Sequence, residues 1–208
     1  MNLQLTPTRS LFSALTPSNM ENLLFVGLGN PGKQYERTRH NLGIRLLRAW
    51  APKDWRYAKK FNAEVSTVTI NNTSITCLFP VTSMNRSGEA VARFTRRRIS
   101  RLWRAYPTGC ILIIHDDLEL PLGSFKIKPS GSAHGHKGVR SIHKSLNTQD
   151  IPRLLLGIGP ATGPPQEFVL GRFSSAEEEK ITQMIPPASF ALTSFVQQKS
   201  PPHNPTDE

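Results

Sequence analysis

The chain has 208 residues, with 26 lysines and arginines against 15 aspartates and glutamates, which gives a formal net charge of +11. Five of the arginines lie within residues 96–104. The two cysteines, Cys77 and Cys110, exclude a disulfide scaffold and a zinc site of four thiolates. The apolar runs reach about six residues, whereas a membrane-spanning helix needs about 18. We therefore expect one basic globular domain that binds a polyanion and no membrane.

The first 21 residues differ in composition from the rest of the chain. Residues 1–20 contain one basic residue, Arg9, no acidic residue, and several serines and threonines. Transit peptides are also poor in acidic residues, although they are usually richer in arginine. We predict that residues 1–21 are a disordered extension or a transit peptide, and that the protein is cytoplasmic or mitochondrial.

Short apolar segments then alternate with segments of helical periodicity. This alternation predicts a single α/β domain at residues 22–198, with a twisted mixed β-sheet flanked by helices. Pro186 and Pro187 should break the last helix. Residues 199–208 contain three prolines and should form a disordered tail. In chain order, the predicted elements are a strand at 23–28, a helix at 41–50, a β-hairpin at 64–70 and 74–79, a helix at 87–105, strands at 111–114 and 125–128, a helix at 138–146, a strand at 153–158 and a helix at 176–197.

The first predicted strand runs into a glycine-rich turn. Residues 27–32 match the G-x-G-x-x-G fingerprint, so a nicotinamide-dependent oxidoreductase is one hypothesis. That fingerprint needs a helix directly after the glycines, but Pro31-Gly32 predicts a turn and residues 33–39 are strongly polar. It also needs an acidic residue after a second strand about 20 positions further on, and no such strand is predicted. The alternative interpretation is a turn that holds Asn30 at the carboxyl end of a strand, where α/β sheets bind ligands.

Polar residues also follow a later predicted strand. His115, Asp116, Asp117 and Glu119 come directly after the strand at 111–114, and metal binding is one hypothesis for them. Their spacing, however, fits no metal-ligand signature. A separate loop of small residues at 131–138 leads into a predicted helix, whose N-terminus can receive a phosphate.

Several of these motifs, in this order, resemble the bacterial-type peptidyl-tRNA hydrolase family over about residues 23–195. The resemblance implies an α/β enzyme that hydrolyses the ester between peptide and tRNA in peptidyl-tRNA. It implies binding of the tRNA acceptor stem and 3′ end, with no metal and no other cofactor. The motifs are Gly27-Leu28-Gly29-Asn30-Pro31-Gly32, Tyr35, Thr38-Arg39-His40-Asn41, Met84-Asn85-x-Ser87-Gly88, His115-Asp116-Asp117-Leu118-Glu119-Leu120-Pro121-x-Gly123, Gly157-Ile158-Gly159 and Phe168-Val169-Leu170-Gly171.

The resemblance also implies roles for individual residues. The catalytic histidine falls on His40 and its partner carboxylate on Asp116, with Asn30 and Asn85 as further catalytic residues. Met84 would lie beside the peptide, Tyr35 near the tRNA 3′ end, and the lysines against phosphate groups. The residues implied to bind substrate are Tyr35, Met84, Lys126, Lys128, His136 and Lys137.

These residue types suit ester hydrolysis. Water must lose a proton as it attacks, and a histidine with a pKa near ~6.5 can accept that proton at neutral pH. A carboxylate on the other ring nitrogen fixes the tautomer and stabilises the imidazolium. Side-chain amides can hold the water or the oxyanion, and losing one oxyanion donor typically costs about 3–4 kcal/mol. The strand at 125–128 should pack its apolar residues inward and direct Lys126 and Lys128 toward the tRNA backbone.

Three positions depart from the family pattern. Lys137 stands where the family usually has asparagine, and it offers only donors where asparagine offers a donor and an acceptor. Ala133 stands where a histidine is expected, with His134 one position later, and Leu155 replaces a basic residue expected after Arg153. A non-catalytic RNA-binding or splicing partner with the same fold is therefore the alternative function. We expect a monomer in either case.

Overall fold

The computed structural model describes residues 22–51, 54–96 and 107–199. The predicted extension at 1–21, the predicted tail beyond its first residue, and the arginine run beyond Arg96 lie outside the described residues. The described elements are β1 (Asn22–Gly27), α1 (Leu42–Trp50), β2 (Arg56–Ala58), β3 (Ala63–Ile70), β4 (Thr73–Pro80), α2 (Ser87–Thr95), β5 (Ile111–Pro121), β6 (Phe125–Lys128), α3 (Lys137–Leu146), β7 (Arg153–Gly159), α4 (Pro165–Leu170) and α5 (Ser175–Lys199).

The strands form one mixed sheet in the order β2-β3-β4-β1-β5-β7-β6. The pairings of β4 with β1, β1 with β5 and β5 with β7 are parallel, and the outer pairings are antiparallel. Successive side chains of a strand point to opposite faces. Accordingly, Leu23 and Phe25 of β1 join a core with α1 and α5, whereas Leu24 and Val26 join a core with α2 and α3. The predicted α/β fold, with a mixed sheet flanked by helices, is confirmed.

The glycine-rich segment after β1 does not open a helix. It is followed by two 3₁₀ turns, at Lys33–Tyr35 and Arg39–Asn41, and α1 begins only at Leu42. The next strand, β2, has three residues and pairs antiparallel with β3 at the edge of the sheet. Since dinucleotide binding requires a helix N-terminus directly after the glycines, the fold does not support the oxidoreductase hypothesis.

Strand β5 is longer than predicted. The sequence placed its end at Ile114, but the strand continues to Pro121 with an irregularity after Asp117. Beyond the point where β1 ends, the backbone of β5 still pairs with β7, so the hydrogen-bonding groups of β5 are satisfied there. The acidic residues predicted for a loop therefore lie on a strand, which fixes their direction.

Helix α5 runs through Pro186 and Pro187, so the predicted break is wrong. A proline inside a helix leaves the carbonyl four residues earlier without its N–H partner. Those carbonyls belong to Thr182 and Gln183, and all four residues are exposed. Hydration of the freed carbonyls lowers the cost, while the opposite face of α5 stays in the core.

Two short elements, β2 and α4, were not predicted because neither is long enough to show a periodic pattern. The helix predicted at 87–105 begins at Ser87 and ends at Thr95, and residues 97–105 lie outside the described part of the chain. Helix α2 packs closely against α3 because Gly88 has no side chain. A Cβ at this position would collide with the carbonyl oxygen of Ser141. The Gly88 N–H also donates to Ser141 Oγ at 3.0 Å.

Candidate active site

A cavity of about 510 Å³ opens at the carboxyl ends of the central parallel strands. Asn30 follows β1, Met84 follows β4, and Asp116 lies on β5 beyond the end of β1. His40 comes from the 3₁₀ turn at Arg39–Asn41 that leads into α1, and His136 immediately precedes α3. Parallel strands bring their carboxyl ends to one edge of a sheet, which gathers these distant segments.

Seven of the ten predicted site residues line this cavity, and three do not. Tyr35 lies in the turn at Lys33–Tyr35, and Lys126 and Lys128 lie on β6. The seven that line the cavity are Asn30, His40, Met84, Asn85, Asp116, His136 and Lys137.

Strand β6 does not bury its apolar residues as predicted. Phe125 packs against the core, but Ile127 is 38% exposed. Strand β6 is the outermost strand and pairs with β7 alone, so less of its surface is covered. Lys126 is exposed and Lys128 is half-buried.

The centre of the site is a buried carboxylate between two histidines. His40 Nδ1 lies 3.0 Å from both carboxylate oxygens of Asp116, and His136 Nε2 lies 3.0 Å from Oδ1. A carboxylate only accepts hydrogen bonds, so both ring nitrogens donate. In its neutral form His40 therefore carries its proton on Nδ1, and Nε2 keeps the lone pair that a general base needs.

The ring of His136 is fixed from its other side. Its Nδ1 accepts hydrogen bonds from the backbone N–H groups of Gly138 and Val139, at 3.1 and 3.3 Å. His136 thus caps α3, which places its own hydrogen on Nε2 toward Asp116. The cap also occupies the N–H groups that the sequence had suggested for a phosphate, so the geometry does not support that site.

The pKa values of the pair move in opposite directions. Burial alone would raise the pKa of Asp116, but the charge of His40 and the hydrogen bonds from His40 and His136 hold it well below its usual range. Burial lowers the pKa of His40, but the charge and hydrogen bond of Asp116 outweigh it, so the net pKa lies above 6.5. The positive charge of Lys137 acts against that increase.

His115 lies beneath the pair and stays neutral. Its Nδ1 donates to the backbone carbonyl of Asp116 at 2.7 Å, and its ring meets that of His136 at a centroid distance of 4.8 Å. Burial lowers the pKa of His115 to about 3. Its buried Nε2 has no partner among the described residues.

The amide of Asn30 is held in a defined orientation. The N–H of Met84 donates to Asn30 Oδ1 at 3.0 Å, while the side chain of Asn41 binds the Asn30 backbone at both N–H and C=O. Asn30 Nδ2 makes no hydrogen bond within the described structure, so it is available as a donor at the cavity wall. Asn85 is more exposed, with Oδ1 accepting from Ser83 Oγ at 2.9 Å.

Sequence reasoning missed one wall of the cavity, which α4 supplies. Val169 and Leu170 contribute apolar surface there, and Leu170 is 46% exposed. Arg39, the neighbour of His40, fastens this wall: its guanidinium lies 4.3 Å from the Phe168 ring centroid and forms two hydrogen bonds to Glu177 of α5. Both Arg39 and Phe168 stand in the motifs that carry the family resemblance, which was the available signal.

The residues weighed for metal binding are not gathered into a site. Asp117 Oδ1 accepts from the N–H groups of Glu119 and Leu120, and His115 is committed to a backbone carbonyl. Within the described residues, one group of side chains has its potential ligand atoms within 4.8 Å of one another, namely His40, Asp116 and His136. The histidine nitrogens that face Asp116 carry hydrogens, so they present no lone pair to an ion between them.

A second, open groove of about 1020 Å³ adjoins the cavity between α2 and α3. Asn85 and Lys137 line both spaces, so the groove and the cavity are neighbours. One acidic residue, Glu89, lines the groove and is paired with Arg86 at 2.7 Å. The basic residues that line it are Arg86, Arg93, Arg96, Lys137, Arg140 and Lys144.

The fold and the site define an α/β protein whose cavity holds a histidine hydrogen-bonded to a buried carboxylate. The family described as "Peptidyl-tRNA hydrolase" matches residues 24–204. The peptidyl-tRNA hydrolase of Syntrophomonas wolfei is 36% identical over 175 residues, which cover 83% of this chain and 92% of that protein. That of Nitratidesulfovibrio vulgaris is 39% identical over 188 residues, covering 84% and 90%.

The crystal structure of peptidyl-tRNA hydrolase from Acinetobacter baumannii superposes with a TM-score of 0.78 at 32% identity, covering 88% of this chain and 93% of that one. The chain belongs to the peptidyl-tRNA hydrolase family, and the predicted resemblance is confirmed. In the described part of the chain, every helix is too short or too polar to cross a bilayer.

Proposed function

We propose that this protein hydrolyses the ester bond between peptide and tRNA in peptidyl-tRNA, with His40 as the general base. The observation that carries the proposal is the 3.0 Å contact of His40 Nδ1 with the buried carboxylate of Asp116 in an open cavity. Membership of the family supports the substrate class. The intact pair also disfavours the alternative of a non-catalytic RNA-binding or splicing partner, which would have no use for an oriented base.

The proposed reaction needs no covalent intermediate with the protein. His40 Nε2 accepts a proton from water as the water oxygen attacks the ester carbonyl carbon, and Asp116 stabilises the resulting imidazolium. The carbonyl oxygen becomes an oxyanion that an amide donor, Asn30 Nδ2 or Asn85 Nδ2, can bind. When the ester C–O bond breaks, the imidazolium returns its proton to the ribose oxygen of the tRNA.

The surface around the cavity suits the two parts of this substrate. We propose that Met84, with the apolar wall of α4, binds the peptide, and that the groove between α2 and α3 binds the tRNA acceptor stem. His136 and Lys137 lie where the 3′ end would enter. Such phosphate contacts bind without reading sequence, which suits an enzyme that acts on many tRNAs.

Tyr35, Lys126 and Lys128 do not line the cavity and remain proposed contacts for the rest of the tRNA. We further propose that residues 22–198 form the hydrolase domain and residues 1–21 an extension or transit peptide. The protein would act as a monomer in the cytoplasm or mitochondrion. Light scattering tests the monomer, and a reporter fused to residues 1–21 tests the compartment.

The decisive experiment follows release of tRNA from a short-peptide ester of tRNA by the purified full chain. Replacing His40 by Ala should lower kcat by about 10²–10⁴-fold, the typical contribution of a general base, while tRNA affinity is retained. Tight tRNA binding by the wild type without any turnover would reject the enzyme and favour the RNA-binding alternative.

A further inference from the structure

Arg153, the first residue of β7, carries a charge into the interior under the active site. Its side chain is 1% exposed and has no carboxylate within ion-pair distance in the described structure. Nη1 donates to the carbonyl of Ser132 at 2.6 Å and Nη2 to that of Ser130 at 2.9 Å, while Nε has no partner among the described groups. Burying a charge is unfavourable unless polar groups compensate it. The charge of Asp117 favours this guanidinium from beyond ion-pair distance, and the two carbonyls are its hydrogen-bond partners.

Both carbonyls belong to the loop at residues 129–136, which joins β6 to α3. The backbone of this loop takes positive φ angles at Gly131, His134 and Gly135, so it lacks the repeating hydrogen bonds of a helix or strand. Gly131 stands between the two bound carbonyls with a φ of 121°, and a Cβ there would lie 3.1 Å from Arg153 Nη2. Arg153 therefore binds the loop on both sides of Gly131.

The same loop ends at His136, which hydrogen-bonds to the carboxylate of Asp116, as the proposed base His40 does. His136 Nε2 donates to Asp116 Oδ1 at 3.0 Å, and Ala133, His134 and Gly135 form part of the cavity wall. A shift of the loop would move this donor and the wall together. Displacements of about 1 Å at a site can cost about 100-fold in rate.

We propose that Arg153 is a positioning residue whose buried guanidinium holds loop 129–136 in the shape that delivers His136 to Asp116. It touches neither the substrate nor the reacting atoms. Its effect on turnover rests on the proposed function, whereas its effect on the position of His136 does not.

The test replaces Arg153 by Ala and by Lys in the full chain, and measures three properties. They are kcat and KM with peptidyl-tRNA, the ¹H–¹⁵N NMR signal of the His136 ring, and thermal unfolding. For Arg153→Ala we expect a loss of kcat/KM of about 100-fold and a displaced His136 signal. Guanidinium chloride, below the concentration that unfolds the variant, should restore part of both, whereas sodium chloride of equal ionic strength should not. Arg153→Lys keeps the charge but lacks the planar guanidinium that donates to both carbonyls. Its loss of kcat/KM and its displacement of the His136 signal should therefore be intermediate.

Arg45 offers a matched control, because it holds another element through two hydrogen bonds to Glu178, at 3.1 and 2.7 Å. Arg45→Ala should leave the His136 signal in place and gain nothing from guanidinium. If Arg153→Ala does not fold, Gly131→Ala disturbs the same contact from the loop side. It should displace the His136 signal, and its effect should be non-additive with that of Arg153→Lys.

An unchanged His136 signal in folded Arg153 variants would overturn the proposal, whatever their rates. So would a loss of activity that guanidinium fails to restore while Arg45→Ala shows the same loss. If the wild type itself has no turnover, the proposed function fails, and the NMR comparison still decides the role of Arg153.

Discussion

The side-chain amide of Asn41 holds the backbone of Asn30 by two hydrogen bonds. Asn41 Oδ1 accepts from the Asn30 N–H at 2.8 Å, and Asn41 Nδ2 donates to the Asn30 carbonyl at 2.9 Å. Asn30 Oδ1 in turn accepts from the N–H of Met84 at 3.0 Å. Three turns, after β1, before α1 and after β4, are thereby joined, and the donor Nδ2 of Asn30 is fixed at the cavity. An amide is suited to this position because it offers a donor and an acceptor together.

We predict that Asn41→Asp lowers kcat by about 10-fold or more, because it removes the donor to the Asn30 carbonyl and lets the Asn30 amide move. The carbonyl left without its partner should cost about 1–3 kcal/mol in the free energy of unfolding. Steady-state kinetics and thermal unfolding measure the two effects. Tyr57→Phe, which removes a hydrogen bond to Asn62 far from the cavity, should leave kcat unchanged. An unchanged kcat in Asn41→Asp would show that Asn30 does not need both hydrogen bonds from Asn41 to be held in place.

The pH dependence of kcat/KM should report the ionisation of His40, which must be neutral to act as a base. The net pKa of His40 lies above 6.5, so the rate should rise with pH through a limb above that value. Asp116→Asn removes the group that raises this pKa. Its acidic limb should therefore move to lower pH, while the plateau falls by about 10²–10⁴-fold because the tautomer is no longer fixed. A limb that stays in place or moves upward would contradict the assignment of His40.

Acid should weaken the fold partly through His115. Its pKa is about 3 in the folded protein, against 6.5 for an ordinary histidine. The unfolded chain therefore binds the extra proton between these values, and stability rises with pH across that window, by up to about 1.4 kcal/mol per pH unit for one proton. The contribution of His115 to the free energy of unfolding is therefore fully present above pH 6.5 and is lost as the pH falls toward 3.

Replacing His115 by Asn removes this titration and keeps a donor for the Asp116 carbonyl. Denaturant unfolding of both proteins between about pH 4 and 6.5 should show a shallower pH dependence of the free energy of unfolding in the variant. This range lies between the pKa of His115 in the folded protein and that of an ordinary histidine. His40 works in the opposite sense: its raised pKa adds stability that is fully present below 6.5 and lost above it. Equal slopes in wild type and His115→Asn would show that His115 already binds a proton in the folded protein.

The sequence predicted those parts of the molecule that depend on local pattern or on family motifs. The continuous apolar run of β1 and the family motifs that contain His40 and Asp116 needed no knowledge of the rest of the fold. The end of β5 could not be predicted, because its extension depends on β7, which lies more than 30 residues further along the chain. The run of α5 through Pro186 depends on which face of the helix meets solvent, and a propensity rule does not contain that information.

The supporting contacts of the site were harder to predict than the site itself. Asn41 stood inside a recognised motif, but its clamp on Asn30 depends on the relative placement of two turns. The grip of Arg153 on loop 129–136 joins residues 21 and 23 positions apart. A buried arginine at the start of an apolar strand was visible in the sequence, but its acceptors are backbone carbonyls, which leave no mark on residue type.

Lys137 is the one lysine or arginine among the described residues that line the cavity, and it also lines the basic groove. We predict that it binds the phosphate next to the terminal nucleoside of the tRNA. Three substrates separate this role from others: a peptidyl ester of adenosine, which has no phosphate, the same ester on the terminal trinucleotide, and full peptidyl-tRNA. Lys137→Ala should raise KM for the two longer substrates and leave the adenosine ester unaffected. Its salt dependence with the trinucleotide should weaken by about 0.7 in log–log slope, the value for one single-strand phosphate contact.

Groove residues should behave differently from Lys137. Arg93→Gln with Arg140→Gln should raise KM for full peptidyl-tRNA alone, because the shorter substrates do not reach the groove between α2 and α3. The exposed pair Lys59→Gln and Lys60→Gln removes the same charge elsewhere and should change none of the three. If Lys137→Ala slows the adenosine ester as much as the longer substrates, Lys137 acts on the reacting centre and not on a phosphate. Lys137→Asn then tells whether an uncharged donor and acceptor can replace it there, because equal rates would mean that the charge itself has no role.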